Sequence, residues 1–136
     1  MRYKFNEIMG FFDKIFSGNS SEEKEESAIV WQALVNEDQL NTIVDASNEK
    51  AQAIFKHSTR CGISRMVLSQ FEKSFKAETE IDMYMLDLLQ HRDISSAIAS
   101  KFGVHHESPQ LLIIKDGEVV RTASHGDINS VDLLAF

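Results

Sequence analysis

From residue 29 onward the hydrophobic pattern keeps switching between strand-like runs and helix-period segments, and this alternation constrains the fold more than any other feature of the chain. Residues 29–34 are a short apolar run. Asn36 and Gln39 then form a capping box ahead of Leu40, Ile43 and Val44. Residues 51–55 read as a short strand. Ile63, Val67, Phe71 and Phe75 recur every fourth residue, which predicts a helix over 61–76. Residues 81–88 alternate and read as strand. Asp93 is placed to cap a helix carrying Ile94, Ala97, Ile98 and Phe102 and stopped by Gly103. Residues 111–114 form the continuous apolar run of a buried strand. Asp116-Gly117 is a type I′ hairpin signal leading into a strand over 119–123. Asp127 is placed to cap a final helix with Ile128, Val131, Leu133 and Leu134. The order β-α-β-α-β-α-β-β-α implies an α/β domain, with a central mixed sheet and helices on both faces.

The first 27 residues are different. Phe5, Ile8, Met9, Phe12, Ile15 and Phe16 follow threes and fours, the pattern of an amphipathic helix. Glu7 and Asp13 interrupt it, and no small-residue cleavage site follows, so it does not read as a secretory signal. Residues 17–27 are a polar linker. Its residues 22–26 hold four Glu and one Lys, so −3 of the net charge of −7 comes from five positions. The chain thus divides into an amphipathic segment with an acidic linker (1–27) and one domain (28–136), a length that suits a single core. Residues 1–16 are a dispensable extension or, alternatively, a docking helix for a partner or a membrane surface.

Composition removes several functions. One cysteine makes no internal disulfide and no cysteine-rich zinc cage. An acidic balance speaks against a nucleic-acid partner. No apolar run is long enough to span a bilayer. The adjacent His105 and His106 lack the spacing of a helical metal-binding pair, so no metal site is expected.

The informative residues are the two used once, Cys61 and Pro109. A lone cysteine is by default a small buried hydrophobe. Cys61, however, follows an apolar strand and opens an amphipathic helix, where helix-start amides and the positive dipole end stabilise a thiolate. Arg60 adds a cation beside it, and Gly62 lets a substrate sulfur approach the backbone. Ser64 stands where a dithiol oxidoreductase carries its second cysteine. It either donates to the Cys61 thiolate or is an ordinary early-helix residue. In both cases chemistry at Cys61 stops at a mixed disulfide until an external thiol arrives. His57, at the strand end near Cys61, packs and hydrogen-bonds the loop or, alternatively, serves as acid or base. Asp87 reads as structural. Pro109 opens a buried strand, as a residue without an N–H must. After a helix and loop in this element order it points to a cis Ser108–Pro109 bond, against the general trans preference. A cis bond leaves the Ser108 backbone free to pair with an extended peptide or thiol ligand.

These residues resemble the thioredoxin-like proteins of the monothiol bacilliredoxin (YtxJ-like) type. The likeness rests on Phe55-Lys56-His57-Ser58-Thr59-Arg60-Cys61-Gly62-Ile63-Ser64, on Tyr84-Met85-Leu86-Asp87-Leu88, on Phe102-Gly103-Val104-His105-His106-Glu107-Ser108-Pro109-Gln110 and on Ala123-Ser124-His125. It implies a thioredoxin-like fold and a cytoplasmic oxidoreductase of oxidative-stress repair. Cys61 would remove a low-molecular-weight thiol, bacillithiol, from S-thiolated client proteins, and a second thiol or a partner reductase would free it. That thiol is a co-substrate, and no tightly bound cofactor is expected. Gly62 departs from the proline that members often carry there. Thioredoxin's buried carboxylate is replaced by Phe55, and its tryptophan before the nucleophile by Arg60. This exchange suits an anionic thiol, whose carboxylates Arg60, His125 and the helix start at Gly126 and Asp127 would hold. Two other functions stay open. One is an iron–sulfur carrier of the monothiol glutaredoxin sort, since Cys-Gly-Ile-Ser nearly spells its Cys-Gly-Phe-Ser. The other is a non-catalytic binding module on the same fold.

Overall fold

The computed structural model describes residues 29–136, so the amphipathic segment and the whole acidic linker lie outside the described residues. The elements are β1 (Trp31–Ala33), α1 (Gln39–Ala46), β2 (Gln52–His57), α2 (Gly62–Ser74), β3 (Asp82–Asp87), α3 (Arg92–Phe102), β4 (Gln110–Lys115) and β5 (Glu118–Ser124). Two short 3-10 helices, His125–Ser130 and Leu133–Ala135, close the chain. The strands form one mixed sheet of order β1-β3-β2-β4-β5. β3 runs parallel to both β1 and β2, β4 is antiparallel to β2, and β5 is antiparallel to β4.

The central strand β2 is buried along its whole length, and its alternation feeds two cores. Ala53 and Phe55 point to the α2 side, with Val67, Phe71, Leu111 and Ile113. Ile54 points to the α1 and α3 side, with Leu40, Ile43, Ile94, Ile98 and Leu112. A sheet covered on both faces makes its middle strands continuously apolar. The thioredoxin-like architecture read from the sequence is what the chain adopts.

Local signals act largely as read. Gln39 Oε1 accepts from the Asn36 N–H at 2.9 Å, and Asn36 Oδ1 accepts from Asp38 N–H at 2.7 Å, so the capping box satisfies the amides ahead of α1. Asp116 (φ 52°) and Gly117 (φ 79°) both take the left-handed region that a type I′ turn demands. The turn is fastened to the end of α1, with Gly117 N–H donating to Ser47 Oγ at 2.8 Å and Asp116 N–H to Ser47 O at 2.9 Å. The Ser108–Pro109 bond is cis.

Two details differ. His91, not Asp93, is the residue that flanks α3. Asp93 sits in the first turn, where its charge still faces the positive helix end. No final α-helix forms. His125–Ser130 and Leu133–Ala135 are separate 3-10 turns, and Asp127 lies inside the first turn of the former, which Ser124 flanks instead. Ile128, Val131 and Leu134 recur every third residue, a 3-10 rather than an α period. No helix among the described residues is long and apolar enough to cross a membrane.

Candidate functional site

The strand register brings three segments to one end of the sheet. Lys56 near the end of β2 stands opposite Gln110 at the start of β4, and Gln110 stands opposite Ser124 at the end of β5. The segments that continue from these positions are 58–61, Ser108-Pro109 and His125–Asp127. They carry all of the site residues read from the sequence except Gly62 and Ser64, which follow directly on α2.

Cys61 is the residue flanking the start of α2, partly exposed, with an extended backbone (φ −98°, ψ 122°). Its N–H donates to Ser58 O at 3.2 Å, and its carbonyl takes the first helical bond, from Arg65 N–H at 3.0 Å. The helix therefore begins at the thiol-bearing residue, and the sulfur leaves the chain at the turn from strand to helix.

Ser64 is fully buried, and its hydroxyl is committed. Oγ lies 2.8 Å from His57 Nδ1 and accepts from the Ser58 N–H at 3.1 Å. This favours a structural role over donation to the Cys61 sulfur. The pair ties the last residue of β2 to the first turn of α2, and so fixes both ends of the loop that presents the thiol. His57 is itself buried, and its ring meets Phe55 edge-on at 6.5 Å. Burial holds its imidazole below the ordinary histidine range. Asp87 and Glu72 oppose that shift, and Arg65 adds to it. Asp87 has the structural part expected, since its Oδ1 accepts from Leu89 N–H at 3.1 Å and its carbonyl from His91 N–H at 3.0 Å.

Just ahead of β4, Pro109 is buried, and its carbonyl accepts from His125 N–H at 3.0 Å. The Ser108 hydroxyl is buried with no hydrogen-bond partner among the described residues. His125 has a positive φ of 54°. With Glu107, Ser124, Gly126 and Asp127 it lines an open pocket of about 370 Å³. A hydrogen bond from Ser124 draws the Glu107 carboxyl below its usual range, and His125, His105 and His106 act in the same direction. Asn129 Nδ2 donates to Gln70 Oε1 at 3.3 Å, which moors this 3-10 turn to α2. Gly62 and Arg60 are both exposed, and Arg60 makes no hydrogen bond or ion pair with the described residues. Among the described residues no three His, Cys, Asp or Glu side chains gather to hold a metal ion.

Two residues at this end of the sheet escaped sequence reasoning. Arg65 folds back over the loop, with Nη1 donating to Thr59 O at 3.1 Å. Its signal was its place one helical turn after Cys61. Lys56 is only 1% exposed, on the α3 face beneath the segment leading to Pro109. Burial lowers its amine to about 8, against a smaller upward pull from Glu107. Its signal was its place in a strand with neighbours on both sides.

Comparison with known proteins agrees with this geometry. A family profile described as Monothiol bacilliredoxin BrxC matches residues 32–133. A solved protein provisionally described as an oxidoreductase with a thioredoxin fold is 40% identical. The match covers 74% of this chain and 87% of that one, with a TM-score of 0.65. Thioredoxin Mala s 13 of Malassezia sympodialis is 24% identical over 76% of this chain and 85% of its own, with a TM-score of 0.59. Fasciola hepatica thioredoxin is 21% identical over 70% and 86%, with a TM-score of 0.56. The latter two bear on the fold alone. With its single cysteine at the start of α2, the chain belongs to the monothiol bacilliredoxin family, thiol oxidoreductases built on the thioredoxin fold.

Proposed function

We propose that the protein removes a low-molecular-weight thiol, bacillithiol, from S-thiolated client proteins. The observation that carries this reading is the placement of the chain's single cysteine, partly exposed at the start of α2, with Ser64 and not a second thiol three residues on. The Cys61 thiolate attacks the bacillithiol sulfur of a client mixed disulfide. The Cys61–bacillithiol S–S bond forms, the old S–S bond breaks, and the client thiolate leaves and takes a proton from water. A second bacillithiol thiolate then attacks the adduct sulfur. It releases Cys61 as thiolate and leaves with the first thiol as a symmetrical disulfide, so the two electrons come from the pair of bacillithiols. A partner reductase delivering the same two electrons can replace that step. No bound cofactor is required, and the cycle needs the reduced thiol pool that a cytoplasm maintains.

The pocket edged by His125, Gly126 and Asp127, together with Arg60, is the surface proposed to meet the thiol's polar portion, with the Ser108 and Pro109 backbone alongside. The test offers one client protein carrying bacillithiol, coenzyme A or glutathione on a single cysteine and follows the protein by intact mass spectrometry. Transfer of the bacillithiol mass to Cys61, faster than the other two and lost in Cys61→Ser, is expected. Transfer of none of the three would refute the reading, and preference for another thiol would refute the choice of bacillithiol.

A further inference from the structure

Two guanidinium groups flank Cys61, and the chain holds them differently. Arg60 is exposed and unattached among the described residues. Arg65 is anchored. Nη1 donates to Thr59 O at 3.1 Å, and Nη2 lies 4.0 Å from the point where a Cβ on residue 62 would stand. The guanidinium therefore lies across the 59–62 loop that presents the sulfur. Guanidinium offers five N–H donors in a planar fork, and the Thr59 carbonyl takes one of them. Among the described residues the ion pair is Lys50–Asp82, far along the sheet at the other end of β2, and no carboxylate stands within 4 Å of Arg65. In a chain of net charge −7, the loop that presents the thiol thus carries two cations, one of them already oriented.

We propose that Arg65 reads negative charge on the disulfide partner of Cys61, so that the site favours anionic adducts over neutral ones. This deepens the exchange reading above and rests on it. A cation held by Thr59 meets the incoming anion without first having to be ordered, whereas Arg60 must give up side-chain freedom to do the same. The attraction is exposed and therefore modest, about three- to fivefold in rate per carboxylate, and it fades as salt shortens the screening length to roughly 8 Å at physiological ionic strength.

Stopped-flow exchange of Cys61 with two small disulfides tests this. One is 5,5′-dithiobis(2-nitrobenzoate), which carries a carboxylate on each half. The other is 4,4′-dithiodipyridine, which is neutral at pH 7.5. Each rate is normalised to that of 2-mercaptoethanol. The wild-type protein is expected to favour the anionic probe, and more so at low salt. Arg65→Gln lowers the anionic rate about three- to fivefold and leaves the neutral rate in place. Arg65→Lys recovers at least half of the preference, and Arg60→Gln costs less than Arg65→Gln. Equal slowing of both probes in Arg65→Gln would assign the residue to loop structure and overturn the proposal, as would the whole effect falling on Arg60. A wild-type Cys61 inert to both probes would instead remove the exchange reading itself.

Discussion

Lys56→Met should make this protein more stable at neutral pH and remove part of its pH dependence. Lys56 is only 1% exposed as a residue, its ammonium has no hydrogen-bond or ion-pair partner among the described residues, and it stands opposite Gln110 at the start of β4. Burial lowers the amine from 10.5 to about 8, so the folded state disfavours the proton that the unfolded chain retains. At about 1.4 kcal/mol per pKa unit, this costs the native state about 3 kcal/mol wherever the group is charged in both states. The sign follows from linkage. Between about 8 and 10.5 the unfolded chain binds the extra proton, so wild-type stability rises with pH across that window, and below it the penalty is constant. Methionine keeps the length and fills the site without a charge. Urea unfolding followed by far-UV circular dichroism should find Lys56→Met ahead by roughly 2–3 kcal/mol at pH 7, with the gap closing by pH 10.5. Tyr84, whose hydroxyl is pushed up by burial, is common to both proteins and cancels in the difference. A gap that is constant with pH, or a variant less stable at pH 7, would show that the ammonium is compensated in the fold and that the reasoning fails.

Ser64→Ala leaves the Ser58 N–H and the His57 ring without their shared partner in a buried site, and should cost about 1–3 kcal/mol in chemical denaturation. Gly117→Ala should cost about 1 kcal/mol, read as a fall in Tm. The added Cβ meets Val44 Cγ1 at an ordinary 3.8 Å, so the penalty comes from the φ of 79° and not from a clash.

What could be read from the chain depends on how local its cause is. The Asp116-Gly117 turn, the Asn36 and Gln39 cap and the stop at Gly103 are decided within a few residues, and each stands where its side chains put it. The element order follows from alternating periods plus one hairpin. The order of the strands in the sheet and the antiparallel placement of β4 beside β2 do not, because nothing local to α3 fixes the direction in which the chain returns. The C-terminal turns were misread because a threefold apolar spacing over so few residues fits an α-helix nearly as well, and only packing on α2 decides between them. At the site, Cys61 is legible because strand end and helix start meet at it. The partner of Ser64 is not, because residue 64 lies near both the thiol of its own turn and the end of β2, and the sheet determines which it faces. Lys56 was missed for a related reason. Lysine is a surface residue by habit, and the burial of every β2 side chain appears only once β3 and β4 flank that strand.

The one tryptophan has a use that packing alone does not suggest. Trp31 donates from its indole N–H to Glu72 at 2.8 Å, and its ring sits 5.9 Å from Phe55 and 6.2 Å from Phe71. Phe55 in turn meets His57, whose Nδ1 holds Ser64 in the first turn after the thiol. A row of rings thus runs from the edge of the sheet to the base of the reactive loop, and its far end is the molecule's sole strong fluorophore. An adduct on Cys61 that shifts the loop is therefore expected to change the emission of Trp31, and a fluorescence titration with a small disulfide would read it without a label.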